Sequence, residues 1–247
     1  SFTLKRRWWP LVGTLAYLLT ISLLGGLNSK HIIISSFILL DFYSEKTRLF
    51  LKYFFPFLLT AIVYDSMRYY YWWGISGNIH VAEPYFLEKK LFGIFSNGKL
   101  VTPNEFFEKN FASILDLFCG FAYLTFIFES MIMAFYLLLK DEHKILKIFV
   151  WSFFIVNILG FATYFIYPAA PPWYVSQYGL GEARMDILHA SPAATLRFDQ
   201  ILGTQFFSNM YGMSVDVYGA IPSLHVSYPL LVCWVTFQIK KYYIPAV

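Results

Sequence analysis

Gly219-Ala220-Ile221-Pro222-Ser223-Leu224-His225 places a hydroxyl, free backbone amides and an imidazole where an apolar helix begins. Proline is tolerated at a helix start, and the first amides of a helix have no partner within it. These amides and the helix dipole attract an anion, and a histidine exchanges a proton near neutral pH. The stretch therefore predicts either a phosphate site with Ser223 and His225 as catalytic residues, or a plain helix cap beside a structural histidine.

Composition places the whole chain in a membrane. Of 247 residues, 58% are hydrophobic, 21% aromatic and 14% charged, and the mean hydropathy is +0.54. The chain has six apolar runs, namely 11–27, 32–42, 49–63, 111–139, 148–167 and 224–239, and most of them approach the ~20 residues that cross a bilayer as a helix. We predict an all-α, polytopic transmembrane helix bundle with six spans. The second run is short, so a re-entrant half-helix is the alternative there.

Loop charges predict the topology of this bundle, since lysine and arginine accumulate in cytoplasmic loops. Four basic clusters fall on one side if all six runs span, namely 5–7, 46–48, 140–147 and 240–241. We therefore expect a single membrane domain, 1–247, with two exoplasmic insertions. Segment 69–110 would carry an interfacial helix, and segment 168–222 would be the active-site loop.

Charge and motif content also exclude some partners. The net charge of +4 is modest, and no basic stripe alternates with aromatic residues as single-strand binding requires. We expect no nucleic-acid partner. No group of cysteine, histidine and aspartate residues has metal-ligand spacing, so we expect no metal and no other cofactor.

Ionisable residues within apolar runs cost at least ~2.5 kcal/mol and need a partner or a purpose. Asp65 and Arg68 are three residues apart and share a helix face. Two interpretations stay open: an ion pair that locks helix packing, or a site in which Arg68 holds a substrate phosphate. For Asp116 and Glu129, in the fourth run, we expect only a polar contact with another helix.

Five further candidates for substrate binding lie in segment 168–222. Arg197 suits phosphate because guanidinium binds it bidentately, and Asp199 would hold Arg197 in place. A structural pair between these two residues is the alternative. Trp173 and Tyr174 follow two prolines and suit an aromatic shelf at the membrane interface, or a simple belt anchor. Gly219 completes the predicted substrate-binding set.

Several segments, taken in their order and spacing, carry a family resemblance. They are Tyr64-Asp65-Ser66-Met67-Arg68, Glu88-Lys89-Lys90-Leu91-Phe92-Gly93, the run 167–174, the run 191–203 and Gly219 to His225. Together they resemble the inositol phosphorylceramide synthase family and its bacterial relatives, a branch of the type 2 phosphatidic acid phosphatase superfamily. The likeness extends from about residue 11 to the end of the chain.

This resemblance implies a membrane transferase with lipid substrates. A phosphorylated head group, phosphoinositol in that family, passes from a phospholipid donor to a lipid alcohol through a phosphohistidine intermediate. His225 occupies the position of the histidine that protonates the leaving alcohol. A lipid phosphate phosphatase is the first alternative, and a non-catalytic membrane scaffold is the second. The likeness to bacterial members implies an inner membrane with the site facing the periplasm; a Golgi membrane with a lumenal site is the alternative.

The chain departs from the family pattern in two places. The nucleophilic histidine of the family has an aspartate four residues later, and none of the five histidines here does. We expect the C-terminal part of the catalytic core, with two more spans, to lie beyond Val247. The lysine- and arginine-containing first motif of the superfamily is replaced by Pro171-Pro172-Trp173-Tyr174.

Overall fold

Apolar runs become helices in this chain, because a helix satisfies every backbone polar group within one segment. The computed structural model describes residues 8–25, 27–40, 44–75, 79–187, 189–214 and 216–239. The helices are α1 (Trp9–Leu24), α2 (Ser29–Leu39), α3 (Glu45–Ser66), α4 (Tyr71–Gly74), α5 (Ala82–Phe92), α6 (Pro103–Lys109), α7 (Ser113–Leu139), α8 (His143–Ile166), α9 (Pro172–Tyr178), α10 (Leu196–Leu202), α11 (Phe206–Gly212) and α12 (Leu224–Gln238). Two strands, β1 (Ile94–Ser96) and β2 (Lys99–Val101), form a hairpin. The predicted basic clusters 5–7 and 240–241 lie outside the described residues.

Three of the described helices are long and apolar enough to cross a membrane. They are α3 with its following turn, α7 and α8, of 25, 27 and 24 residues. At about 1.5 Å per residue they exceed the ~30 Å hydrocarbon core. The other three predicted runs form α1, α2 and α12, of 16, 11 and 15 residues. The third, fourth and fifth runs therefore have the length of spans, and the count of six is not confirmed.

The segment 69–110 contains the predicted amphipathic helix and more. Helix α5 leaves Phe86 and Leu91 56% and 61% exposed. The hairpin that follows turns at Asn97 and Gly98, whose φ values of 51° and 74° are both positive, as a two-residue hairpin turn requires. Helix α6 then begins at a capping box, in which Glu105 N–H donates to Thr102 Oγ1. The hairpin is a correction to the all-α prediction.

The described chain forms two compact units. The first unit comprises Ser1–Tyr69 and Ala134–Phe154, and the second comprises Tyr70–Met133 and Ile155–Val247. Within the first unit, phenylalanine rings of α3 pack on α7 and α8, with Phe54 and Phe135 centroids 4.6 Å apart. The second unit contains every predicted site residue except Arg68.

In the second unit, one face of α7 receives α10 and α11. Asp116, Gly120 and Tyr123 recur at helical spacing along this face. A Cβ on Gly120 would lie 2.2 Å from a ring carbon of Phe198 on α10. The absence of a side chain at Gly120 therefore allows α10 to approach the backbone of α7.

Three loops of the second unit are joined by backbone hydrogen bonds. His80 N–H donates to Pro168 C=O, and Ala170 N–H donates to His80 C=O, both at 2.8 Å. Ala169 N–H donates to Tyr218 C=O, also at 2.8 Å. The loop that leads into α12 is therefore fixed against the loop that leads into α9.

Asp199 connects α10 to α11. Its carboxylate accepts hydrogen bonds from the backbone N–H of Phe207 and Ser208 and from the Ser208 hydroxyl, at 3.2, 3.0 and 3.0 Å. Burial alone would raise the pKa of Asp199, but these donors lower it below its ordinary value. Asp199 thus occupies the N-terminal amides of α11 as a charged cap.

Substituting Gly120 by alanine tests the approach of α10. Alanine favours a helix by about 1 kcal/mol over glycine, but overpacking costs about 1–3 kcal/mol. We expect Gly120→Ala to lower the midpoint of thermal unfolding of the detergent-purified protein. Gly212→Ala is the control, because nothing lies within 4 Å of its Cβ position. Equal midpoints for the two variants would contradict the close approach.

Replacing Asp199 by alanine leaves the buried amides of α11 without their acceptor. Such a loss costs about 1–3 kcal/mol, so thermal unfolding should occur at lower temperature. Because the pKa of Asp199 is lowered in the folded state, its stabilisation is complete above the ordinary value of 3.8. The difference from wild type should shrink only as the pH falls below that value. Asp186→Ala, in an exposed pair with Arg184, is the control and should change little.

Candidate active site

Helix α12 carries His225 in its first turn and packs on α8. Leu224 lies over Gly160, where a Cβ would come within 2.9 Å of the leucine side chain. One turn later, Tyr228 Oη donates to Asn157 Oδ1 at 2.5 Å. Tyr164 Oη donates to the carbonyl of Pro222 at 2.9 Å. Helix α8 therefore fixes both the start of α12 and the residue before its cap.

The imidazole of His225 contacts two neighbouring rings of α7. Its centroid is 4.1 Å from that of Tyr123 and 4.2 Å from that of Phe126, with interplanar angles of 27° and 35°. His225 is half-buried, so the ring is not sealed from its surroundings. No described residue forms a hydrogen bond with either ring nitrogen. Both nitrogens thus remain available for a proton transfer.

The start of α12 has the features of an anion site. Ser223 is the N-cap, its side chain makes no capping hydrogen bond, and it is exposed. Among the described residues, the first amide of this turn that donates is Ser227 N–H, to Ser223 C=O at 3.2 Å. The amides of residues 224–226 precede it and can donate to a ligand.

Gly219 has a packing role in this site. A Cβ there would lie 2.7 Å from Asp216 Oδ2 and 3.0 Å from the Tyr164 ring. Glycine therefore lets the loop pass between a carboxylate and an aromatic ring just before the helix start. Contact of Gly219 with a substrate remains a prediction.

Arg197 does not pair with Asp199, and this part of the prediction is wrong. Its Nε and Nη2 donate to the two carboxylate oxygens of Asp116 on α7, both at 2.9 Å. The guanidinium also lies 5.0 Å from the centroid of the Phe111 ring. The expected polar contact of Asp116 with another helix is confirmed, and α10 is the partner.

The aromatic shelf is also corrected. Trp173 and Tyr174 are 8% and 1% exposed, so neither ring forms an interfacial surface. Tyr174 Oη accepts a hydrogen bond from Arg184 N–H at 3.0 Å. Because Pro172 starts a helix at this point, the two rings turn inward and pack in the second unit. Their predicted role in substrate binding therefore has no exposed surface to act through.

Arg68 lies in the first unit, where the predicted ion pair is confirmed. Its Nη2 is 2.5 Å from Asp65 Oδ1, and Asp65 Oδ2 is 2.9 Å from Nε2 of His31. His31 is fully buried and accepts a hydrogen bond from Asn28 N–H at Nδ1. With both nitrogens occupied, His31 does not offer a lone pair for attack on phosphorus. The role of Arg68 in phosphate binding stays a prediction.

Sequence reasoning missed Tyr123 and Phe126, the two rings that contact His225. In an apolar run they look like ordinary lipid-facing or core aromatics. Only the helical spacing of Tyr123 from Asp116 would have indicated a shared face. Within the described ranges, no three histidine, cysteine, aspartate or glutamate side chains converge as metal ligands.

The sequence is similar to those of curated lipid-modifying synthases. The chain is 38% identical to phosphoinositol dihydroceramide synthase of Bacteroides thetaiotaomicron over 206 residues, which is 82% of this chain and 66% of that protein. It is 34% identical to inositol phosphorylceramide synthase of Candida albicans over 99 residues, 38% of this chain and 21% of that protein. It is 40% identical to the inositol phosphorylceramide synthase catalytic subunit AUR1 of Saccharomyces cerevisiae over 70 residues, 28% of this chain and 17% of that protein.

Residues 103–246, which a family model matches, include the whole candidate site around α12. No solved structure matches the chain significantly. The chain spans less than two thirds of the length of these curated relatives. The sequence model described as the PAP2 superfamily matches residues 103–246, more than half of the chain. This match, over more than half of the chain, shows that the chain belongs to the PAP2 superfamily.

Proposed function

We propose that this protein transfers a phosphorylated head group, phosphoinositol, from a phospholipid to a lipid alcohol. The observation that carries the proposal is the position of His225, beside three amides that can donate at the start of α12. Its support comes from relatives whose names specify phosphoinositol dihydroceramide or inositol phosphorylceramide synthesis. An integral membrane setting fits three helices with the length and apolar composition of spans.

In this proposal the donor phosphate binds at the amides of residues 224–226, and the Ser223 hydroxyl lies beside it. The amides stabilise the negative charge that grows on the phosphoryl oxygens. His225, protonated, gives its proton to the diacylglycerol oxygen as the P–O bond breaks. The imidazole returns to the neutral state and is ready to accept a proton from the incoming lipid hydroxyl.

In this proposal none of the five histidines is the nucleophile of the two-step route, because none has an aspartate four residues later. His31 is further disfavoured by its two occupied nitrogens. A nucleophilic nitrogen outside these five histidines would form the P–N bond as the P–O bond to diacylglycerol breaks. Residues 1–247 would supply the acid, the anion-binding helix start and the aromatic walls of the site.

In this proposal Arg197 binds the head group or its phosphate. A guanidinium has five N–H donors, and the pair with Asp116 engages Nε and one hydrogen of Nη2. Three donors remain for the head group or its phosphate. We also propose that the site is exoplasmic, which the loop charges support, and that the membrane is a bacterial inner membrane, which the likeness to a bacterial relative supports.

The assay for this function uses the protein in lipid nanodiscs with labelled phosphatidylinositol. We expect the label to appear in a second lipid, the phosphoinositol ester of the acceptor, only when ceramide, dihydroceramide or another lipid alcohol is added. His225→Ala should reduce transfer by about 10²–10⁴-fold, the usual contribution of a general acid. His189→Ala, an exposed loop histidine, is the control and should retain activity.

Two results would contradict the proposal. Full transfer activity of His225→Ala would remove His225 from the mechanism. Release of free inositol phosphate without an acceptor would identify a hydrolase that uses water as the acceptor.

The Asp116–Arg197 pair gives a second test. Arg197→Lys keeps the charge but loses bidentate geometry, so kcat/KM should fall on the order of tenfold, about 1.4 kcal/mol. Asp116→Asn should have a similar effect, and the double variant should be no worse than either single variant. Arg184→Lys disturbs the equivalent exposed pair with Asp186 and should leave kcat/KM unchanged. Additive losses would show that the two residues act separately.

A further inference from the structure

His225 contacts Tyr123, a residue to which the proposed mechanism assigns no step. Among the described residues, ring stacking is the constraint on the imidazole, because no hydrogen bond holds its nitrogens. The χ2 torsion of a histidine, which sets the plane of the imidazole, has only a weak intrinsic preference. The orientation of His225 therefore depends on the rings of Tyr123 and Phe126, at 4.1 and 4.2 Å.

Tyr123 is held in turn from α11. Its hydroxyl lies 2.7 Å from the hydroxyl of Tyr211, and its ring meets that of Phe207 at 5.5 Å and 64°. Phe207 and Tyr211 are four residues apart, so they present one face of α11 to Tyr123. A polar and an apolar contact thus fix the same ring.

Helix α11 is itself fixed in place. Asp199 caps its amides, Phe207 is fully buried, and the Phe207 ring packs edge-on against Phe198 at 5.4 Å. Phe198 occupies the space above Gly120. A short chain of contacts therefore runs from α7 through α10 and α11 and back to Tyr123 on α7.

We propose that Tyr123 and Tyr211 are positioning residues for His225. The hydroxyl pair fixes the Tyr123 ring, and this ring sets the plane of the imidazole that delivers the proton. The inference rests on the proposed function of His225 as the acid. A general acid must lie within hydrogen-bond reach of the leaving oxygen. A displacement of about 1 Å can cost up to 10²-fold in rate, so loss of one remote hydroxyl should appear in catalysis.

The test uses substitutions that remove a single oxygen atom. Tyr211→Phe and Tyr123→Phe keep both rings and delete one side of the hydroxyl pair. We expect each variant to lower kcat about 5–20-fold, while KM for both lipids stays within about twofold. The double variant should match the single variants, because both remove the same hydrogen bond. Tyr85→Phe is the matched control: its hydroxyl donates to Glu105 at 3.0 Å, and kcat should not change.

A second measurement detects a change in the accessibility of the His225 ring without requiring catalytic turnover. Diethyl pyrocarbonate acylates accessible imidazole nitrogens, and mass spectrometry of the peptide that contains His225 gives its rate. We expect the rate at His225 to change severalfold in Tyr211→Phe and Tyr123→Phe and to equal wild type in Tyr85→Phe. His189 in the same samples is the internal reference.

The outcomes separate the two proposals. Unchanged kcat together with an unchanged acylation rate in Tyr211→Phe would overturn the positioning role. A loss that appears only as reduced thermal stability, with kcat per folded enzyme intact, would also overturn it and leave a structural contact. If wild type shows no transfer, the proposed function fails, and the acylation rates still decide whether the tyrosines hold the ring.

Discussion

Three backbone hydrogen bonds hold the candidate site together. They join backbone carbonyl and amide groups of His80, the Pro168–Ala170 segment and Tyr218. A loop that enters an apolar surrounding must satisfy its backbone groups, since each unpaired group costs several kcal/mol there. By bonding to one another, the three loops meet this requirement without a regular sheet. The start of α12 is consequently held in one place, and the position of Ser223 and His225 follows from it.

Contacts with α7 and α8 then orient α12 and the side chain of His225. Helix α8 holds α12 through Gly160 and Asn157, and helix α7 supplies the rings that face His225. Asn157 is paired with Tyr228, and Tyr123 with Tyr211, whereas the imidazole nitrogens and the Ser223 side chain have no hydrogen-bond partner among the described residues. This contrast between a satisfied frame and an unsatisfied acid is typical of a site organised for a ligand.

Much of this arrangement could be predicted from sequence. Apolar runs gave the long helices, because their period and length have a physical cause that is local. Pro222 and Ser223 gave the start of α12 for the same reason. The family resemblance, carried by short ordered motifs, agrees with the superfamily match over residues 103–246.

The remaining features depend on contacts between distant segments. Arg197 bonds Asp116, 81 positions away, and no local pattern prefers that carboxylate to the nearer Asp199. Trp173 and Tyr174 turn inward because of the helix that Pro172 starts, whereas their composition alone suits an interface. The β-hairpin had a usable signal in Asn97-Gly98, which the surrounding charges and apolar residues obscured.

Asp199 determines which helix start of the second unit is open to an external anion. Two helices of the second unit begin close to one another in sequence, α11 and α12, and each has amide hydrogens to offer at its start. At α11 the protein's own carboxylate already accepts them, as a built-in counter-anion. At α12 the chain contributes only a neutral hydroxyl cap. At α11 a phospholipid phosphate would have to displace the Asp199 carboxylate from the amides. At α12 the cap residue has no carboxylate to displace, so the fold itself favours binding of the phosphate at α12.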